Sequence, residues 1–358
     1  MDIRFETATP QELKKKPDES ALGFGRFFTD HMFVMTYSRG RGWHDATIQK
    51  YCDFSLDPAA MVLHYGQAIF EGLKAYRGSN DRIYIFRPNA NLERMNRSAA
   101  RMCMPAFDPE LVFHGLRELI MVDREWIPRA PGASLYIRPT MIASEAGLGV
   151  RPAEEYKFFI IMCPVGAYYP EGFNPIKIFV TDKYVRAVRG GVGDVKTAGN
   201  YGSSIMAAVE AKAAGYTQVL WLDAIERRYV EEVGTMNIFF RIGDEVITPP
   251  LSGSILPGIT RDSVLQLCRD WGVKVSERQI AIDEVIGACH NGSLREIFGA
   301  GTAAIISPVG ELHYKDHDCI INKGQTGALS QRLFDAIQAI QYGAAADPHG
   351  WAFPLAAE

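Results

Sequence analysis

One lysine stands out by its surroundings. In the run Arg186-Ala-Val-Arg-Gly-Gly-Val-Gly-Asp-Val-Lys-Thr-Ala-Gly-Asn-Tyr201-Gly-Ser-Ser204, Lys196 lies in a glycine-rich, weakly charged segment, with Tyr201 following shortly after. An exposed lysine has a pKa near ~10.4 and is a poor nucleophile. Held in a pocket that disfavours its charge, it can lose its proton and condense with an aldehyde. Further along, Val230-Glu-Glu-Val-Gly-Thr-Met-Asn-Ile-Phe-Phe240 sets an acid directly before a Val-Gly turn that enters an apolar strand. A carboxylate buried there needs a cationic partner. Pyridoxal 5'-phosphate (PLP) meets both requirements, offering an aldehyde to a lysine and a pyridinium nitrogen to an acid.

Two further segments could hold anions. Ser254-Ile-Leu-Pro-Gly-Ile-Thr-Arg-Asp-Ser-Val-Leu-Gln-Leu-Cys268 reads as a Pro-Gly turn and then a helix with Asp262 in its first turn. The N–H groups at such a helix start, around Ile259 and Thr260, suit a phosphate. Leu294-Arg-Glu-Ile-Phe-Gly-Ala-Gly-Thr-Ala-Ala-Ile-Ile-Ser-Pro308 reads as a strand entering a glycine turn, whose amides and Thr302 hydroxyl could bind a second anion. Arg138, between Tyr136 and Pro139 on a predicted strand, is an uncomfortable core residue that a substrate carboxylate would satisfy.

Other chemistries fit poorly. Val195 stands where a P-loop requires glycine before its lysine. Gly299-Ala-Gly-Thr-Ala-Ala304 has a dinucleotide-binding spacing, but Pro308 interrupts the helix that should follow. No G-x-S-x-G occurs. His313 and His317, with Asp316 and Asp318, read as a solvated turn rather than a metal site. Six cysteines show no CxxC, so they read as reduced core residues, with neither zinc nor a disulfide framework implied.

The elements that must position these groups follow from periodicity and turn residues. Residues 1 to about 20 look like a solvated lead-in. Alternating runs appear at Phe28 to Tyr37, Ala59 to Phe70 and Arg82 to Phe86, then helices from Pro88 to Cys103 and Asp108 to Asp123, then strands near Ser134 to Met141 and Lys157 to Pro164. Gly166 to Pro175 is rich in turn formers and reads as a linker. Beyond it, strands at Ile176 to Thr181, Gln218 to Asp223, Asn237 to Arg241 and Leu294 to Phe298 alternate with helices near Ser203 to Ala214 and Arg261 to Trp271, and a last helix covers Gly327 to Ile340. The class is mixed, α+β followed by α/β, in two domains: 1–165, a connecting loop 166–176, and a larger unit 177–358. A net charge of -4 and a pI near 6.1 give no footprint for nucleic acid. No apolar run is long enough to span a bilayer, and the N-terminus lacks an apolar signal region, so a cytoplasmic protein is expected.

The order of these segments resembles the branched-chain amino acid aminotransferases of PLP fold type IV, the D-amino-acid aminotransferase-like fold. The likeness also rests on Phe27-Phe-Thr-Asp-His-Met32, Leu63-His-Tyr-Gly-Gln-Ala-Ile-Phe-Glu-Gly-Leu-Lys-Ala-Tyr76, Phe86-Arg-Pro88, Asn91-Leu-Glu-Arg-Met95, Ser134-Leu-Tyr-Ile-Arg-Pro139 and Cys163-Pro-Val-Gly-Ala-Tyr168, and so covers almost the whole chain. The resemblance implies that Lys196 carries PLP and shuttles the substrate proton. It implies that Glu232 holds the ring nitrogen, with Glu231 as the alternative, and that Tyr201 bonds the cofactor's phenolic oxygen. Arg94, Arg186, Ile259, Thr260 and Thr302 are implied around the phosphate, with Thr235 and Leu256 also at the cofactor. Arg87 is implied to be structural. For substrate it implies an aromatic wall from Phe24, Phe70, Tyr136 and Tyr168, and Tyr65 and Leu148 donated by a second copy in an obligatory homodimer. Thr302 and Ala303 are implied to take the α-carboxylate, and Arg138 a second carboxylate. The implied reaction passes the amino group of L-leucine, L-isoleucine or L-valine to 2-oxoglutarate. Shorter fold type IV relatives, the D-amino-acid aminotransferases and aminodeoxychorismate lyases, generally lack the Phe-Thr-Asp-His-Met and Leu-Tyr-Ile-Arg-Pro blocks. Animal members carry a Cys-x-x-Cys pair after the Gly-Thr-Ala turn, where this chain has Ala304 and Ser307, so thiol regulation is not expected there.

Overall fold

The computed structural model describes residues 2–166 and 173–355. Their contacts divide the chain into two units. The first comprises the residues up to 168, Val195–Gly199 and the residues from Ala339 onward; the second comprises the rest. A single boundary at 166–176 would place all of 177–358 together; Val195–Gly199, with Lys196, and the C-terminal segment instead pack with the first unit.

The first unit is built on a sheet running, edge to edge, through Arg4–Glu6, Gly42–Lys50, His31–Ser38, Glu155–Val165, Ser134–Ala143, Leu73–Arg77, Ile83–Phe86 and Ala352–Leu355, with Ala68–Phe70 paired onto Ser134–Ala143. Helices Pro88–Arg101 and Pro109–Val122 supply Leu92, Met95, Ala99, Leu116 and Leu119 to one buried core with Phe33, Ile48, Ile137 and Phe158. Burying a side chain of this size contributes about 1.5–3 kcal/mol. Both helices begin with proline at the first turn, and Asp108 caps the second by accepting from the Glu110 amide at 2.9 Å. Gly115 lets that helix approach the sheet, since a Cβ there would lie 2.6 Å from the Phe33 ring.

Several expectations change here. The lead-in is tied down: Arg4–Glu6 pairs in parallel with Gly42–Lys50, and the Lys14 amine donates to the Thr29 carbonyl at 2.7 Å. Ala59 to Phe70 is not one alternating run. Met61–Tyr65 forms a short helix ended by Gly66 at φ 61, and only Ala68–Phe70 is strand. The cysteines are not uniformly core, because Cys52 and Cys103 are exposed.

In the second unit, Val230–Val233, Gln218–Leu222, Ile176–Thr181, Ile305–Tyr314, Leu294–Gly301 and Met236–Ile242 follow one another in hydrogen-bonded order. Pairing of Met236–Ile242 back onto Val230–Val233 closes the six into a ring. Glu245–Thr248 and Lys274–Glu277 extend it, and His317–Ile320 folds back on Ile305–Tyr314, so His313 and His317 lie on paired strands on either side of a tight turn. Among the described residues no His, Cys, Asp and Glu cluster is placed to hold a metal, and no helix is long and apolar enough to cross a membrane.

Candidate active site

In the first unit, the backbone around Lys196 is pinned on both sides. Its amide donates to Ser98 Oγ at 3.1 Å, its carbonyl accepts from the Phe70 amide at 3.0 Å, and the Thr197 hydroxyl donates to the Ala68 carbonyl. The ammonium nitrogen lies 4.6 Å from the centroid of the Phe70 ring. Arg138 stacks on the same ring at 4.7 Å, and its Nη2 donates to the Tyr136 hydroxyl at 3.1 Å. Its Nε is buried without a hydrogen-bond partner among the described residues, the state in which an anion is most favourable. Phe24 meets Tyr136 edge to face at 4.9 Å. Lys196, Phe70, Arg138, Tyr136 and Phe24 thus lie together in the first unit; Tyr168 lies outside the described residues. Gly72 makes room for this wall, since a Cβ there would fall 2.1 Å from the Tyr136 hydroxyl.

Arg94 is 4% exposed and forks onto Glu71, its Nε at 2.7 Å and Nη2 at 2.9 Å from the two carboxylate oxygens. Glu71, completely buried, is a residue that sequence reasoning missed. An acid inside the apolar run Ala68-Ile-Phe-Glu-Gly-Leu73 was the available signal, because such a group demands a partner. Tyr65 and Leu148 sit on the surface, 40% and 65% exposed, and the Tyr65 hydroxyl donates to the Leu148 carbonyl.

In the second unit, a bulge opposite Trp221, between Leu220 and Leu222, gives the strand Val230–Val233 an extra residue, and both Glu231 and Glu232 are buried. Glu232 pairs with Arg186 Nε at 2.6 Å and accepts from Asn237 Nδ2 at 3.0 Å. Asn237 also donates to the Leu256 carbonyl at 2.9 Å, so it ties the acid to the turn before helix Ile259–Asp270. Arg186, which the resemblance implies at the phosphate, is bonded within the second unit. Its Nη1 and Nη2 donate to the carbonyls of Gly193 and Ser254, so all three of its nitrogens are engaged within the protein and it braces Glu232. Asn237 escaped sequence reasoning because an amide in a strand carries no distinctive signal.

The helix Ile259–Asp270 starts at Gly258 with no side-chain cap, leaving a helix N-terminus suited to an anion. A Cβ at Gly258 would lie 1.9 Å from Asn237 Oδ1, so this glycine sets how closely the turn approaches Asn237. Thr302 and Ala303 form the turn between the paired residues Gly301 and Ile305, and Ile305 is held at φ 63, a strained value for a β-branched residue. Tyr201 lies partly buried on Ala198–Ser203. Thr235 is exposed at the Gly234 turn.

The pinned lysine of the first unit, and in the second a buried acid held by a cation, a helix start without a side-chain cap and a tight amide turn, are each a kind of group that PLP requires. Residues 68–312 match the family of class IV amino-transferases. Branched-chain-amino-acid aminotransferase 2 of Bacillus subtilis (strain 168) is 56% identical over 355 residues, covering 99% of this chain and 97% of that protein. The chain belongs to this family. Its fold agrees: the crystal structure of the Escherichia coli branched-chain amino acid aminotransferase superposes with a TM-score of 0.75 at 25% identity, covering 90% of this chain and 99% of that one. The T.th. branched-chain amino acid aminotransferase complexed with N-(5'-phosphopyridoxyl)-L-glutamate gives a TM-score of 0.73 at 25% identity, covering 90% and 98%. This class IV chain is therefore a PLP-dependent transaminase with fold type IV.

Proposed function

We propose that the enzyme transfers the amino group of L-leucine, L-isoleucine or L-valine reversibly to 2-oxoglutarate, giving the branched-chain 2-oxo acid and L-glutamate. The observation that carries this reading is Arg138. Its guanidinium, with one buried nitrogen still unpaired, stands on the same Phe70 ring as Lys196. An aliphatic side chain can pack on Phe70, Tyr136 and Phe24, while the γ-carboxylate of glutamate meets Arg138 and the Tyr136 hydroxyl.

PLP, when bound, supplies the electron sink that stabilises negative charge at the substrate Cα. Lys196 Nζ would tether the cofactor and would serve as the base and acid that moves the substrate Cα proton. Glu232 holds a proton at the ring nitrogen, and Tyr201 bonds the phenolic oxygen. Arg94, the amides of Ile259 and Thr260, and Thr302 take the phosphate, with Leu256 positioned by Asn237. Thr302 and Ala303 receive the α-carboxylate. A second copy of the chain supplies Tyr65 and Leu148, which fits their exposure together with Leu63 at 60% and Val150 at 85%. We place the enzyme in the cytoplasm as such a homodimer.

The test is spectroscopic. Adding L-leucine to the yellow holoenzyme should bleach its long-wavelength band, and adding 2-oxoglutarate should restore it with release of L-glutamate. A band restored by pyruvate but not by 2-oxoglutarate would reject the assigned acceptor.

A further inference from the structure

Ser98 is a completely buried residue on helix Pro88–Arg101 to which the proposed chemistry gives no part. It lies one turn beyond Arg94, and its Oγ donates back to the Arg94 carbonyl at 3.2 Å. A hydroxyl has one proton and two lone pairs, so a bond that fixes the proton also fixes where the lone pairs point. One of them receives the Lys196 amide at 3.1 Å. Ser98 is therefore bonded at once to the backbone of the arginine assigned to the phosphate and to the backbone of the lysine assigned to the aldehyde.

The same two groups are also tied through the strand Ala68–Phe70. Thr197 forms an antiparallel bridge with Ile69, and the Phe70 amide donates to the Lys196 carbonyl at 3.0 Å, so the Lys196 backbone is laid alongside that strand. Glu71, the next residue, takes the Arg94 fork at 2.7 and 2.9 Å. The strand thus holds Lys196 by its carbonyl and leads directly into the acid that holds the Arg94 guanidinium. Ser98 closes the circuit from the Lys196 amide to the Arg94 carbonyl. All of these residues belong to the first unit. The aldehyde and phosphate of PLP are carried on one rigid ring, so an amine and a cation that engage both must stand at a set separation.

Resting on the roles given above to Lys196 and Arg94, we propose that Ser98 is a positioning residue that sets the register of Lys196 against Arg94, so that one cofactor meets both. A serine that only satisfied a backbone amide would lower stability when removed, without changing how two forms of the cofactor compare. A serine that keeps the register changes that comparison.

The test compares PLP with pyridoxal, which carries the aldehyde and lacks the phosphate, by equilibrium dialysis against the full chain freed of cofactor. Pyridoxal follows the lysine alone, whereas PLP must satisfy lysine and arginine together. Ser98→Ala should therefore lower the ratio of PLP affinity to pyridoxal affinity by roughly tenfold. Ser98→Thr, whose hydroxyl can make the same bond to the carbonyl one turn earlier, should keep the parental ratio. In an Arg94→Met background, where no register is left to keep, Ser98→Ala should change the ratio by less than about twofold. Thermal melts establish that each variant is folded. A lowered melting temperature with the parental ratio in Ser98→Ala would make Ser98 purely structural and overturn the proposal, as would an equal loss of ratio with and without Arg94. Borohydride reduction of the parent holoenzyme, followed by peptide mapping, separates this from the role of the lysine itself. A pyridoxyl label on a lysine other than Lys196 would overturn that role and the register with it, whereas a label on Lys196 beside an unchanged ratio in Ser98→Ala would overturn the register alone.

Discussion

Each unit contains a buried arginine–glutamate pair, and the two pairs are built differently. In the first unit, Glu71 gives both carboxylate oxygens to Arg94. In the second, Arg186 gives one nitrogen to Glu232 and the other two to backbone carbonyls, while Glu232 keeps a second contact to Asn237. A buried ion pair is poor evidence of net stability, because desolvation offsets its attraction. Both carboxylates have each oxygen engaged, so the pairs differ in their cations: Arg94 forks onto one acid, whereas Arg186 divides its nitrogens between an acid and two backbone carbonyls. On the proposed reading the first pair stands at the phosphate and the second at the ring nitrogen.

Removing the acids should separate the pairs most clearly. Glu232→Gln should retain PLP but lower kcat by on the order of a hundredfold or more, because the ring nitrogen would no longer be held protonated. Glu71→Gln leaves a buried guanidinium without its counter-charge and should cost about 3–5 kcal/mol of stability in denaturant unfolding. Steady-state kinetics and urea melts on both variants check this. An unstable Glu232→Gln beside a stable but slow Glu71→Gln would reverse the assignment.

The arginines give the next contrast. Arg94→Met should weaken PLP far more than it weakens pyridoxal, which lacks the phosphate, narrowing the ratio of the two affinities by roughly ten- to hundredfold. Arg186→Met should leave that ratio unchanged and lower the rate, since it removes the brace from Glu232. Equilibrium dialysis with both cofactors decides the point, and a collapsed ratio in Arg186→Met would return this residue to the phosphate.

The contrast also explains what could be read from the sequence. Lys196, Glu232 and the two glycine turns were legible because each breaks a local rule: a charge among glycines, an acid in an apolar strand, a turn where a helix begins. The helices Pro88–Arg101 and Pro109–Val122 were legible because proline and Asp108 mark their starts. Which cation meets which acid was not legible. Arg186 and Glu232 are far apart in sequence, and only strand closure and the bulge at Leu220 and Leu222 bring them together. The resemblance supplied roles for both arginines, but no pattern in one sequence records that all three nitrogens of Arg186 are engaged. The strands Leu73–Arg77 and Gly42–Lys50 escaped for a related reason. Lys74 and Asp45 interrupt their alternation, and tertiary pairing overrides that local signal.

Arg138 tests the first unit's other ligand-facing cation. Arg138→Met should reduce kcat/KM for glutamate and 2-oxoglutarate by roughly tenfold relative to leucine, the lower end of a lost charge-assisted hydrogen bond at about 1.5 kcal/mol. Both half-reactions must be measured. Equal losses for leucine and glutamate would show that Arg138 serves the α-carboxylate or the pocket wall instead.

The smallest effect asks what a buried charge costs when its electrostatic neighbour is a thiol rather than a carboxylate. Lys74 is buried on Leu73–Arg77, and desolvation lowers its pKa from 10.5 to about 8, with Cys163 pulling weakly the other way. Below pH 8 both folded and unfolded chains hold the proton, so the folded state carries the full desolvation cost. Between about pH 8 and 10.5 the unfolded chain binds more protons than the folded one, and stability must rise with pH. Lys74→Met removes the ionisable group while keeping most of its volume. The variant should therefore be more stable than the parent at pH 7, by on the order of 1–2 kcal/mol after relaxation, and the difference should shrink towards zero as pH approaches 10.5. Urea unfolding at about pH 7 and about pH 10 reads both quantities. A pH dependence that survives unchanged in Lys74→Met would assign the rising limb to another group.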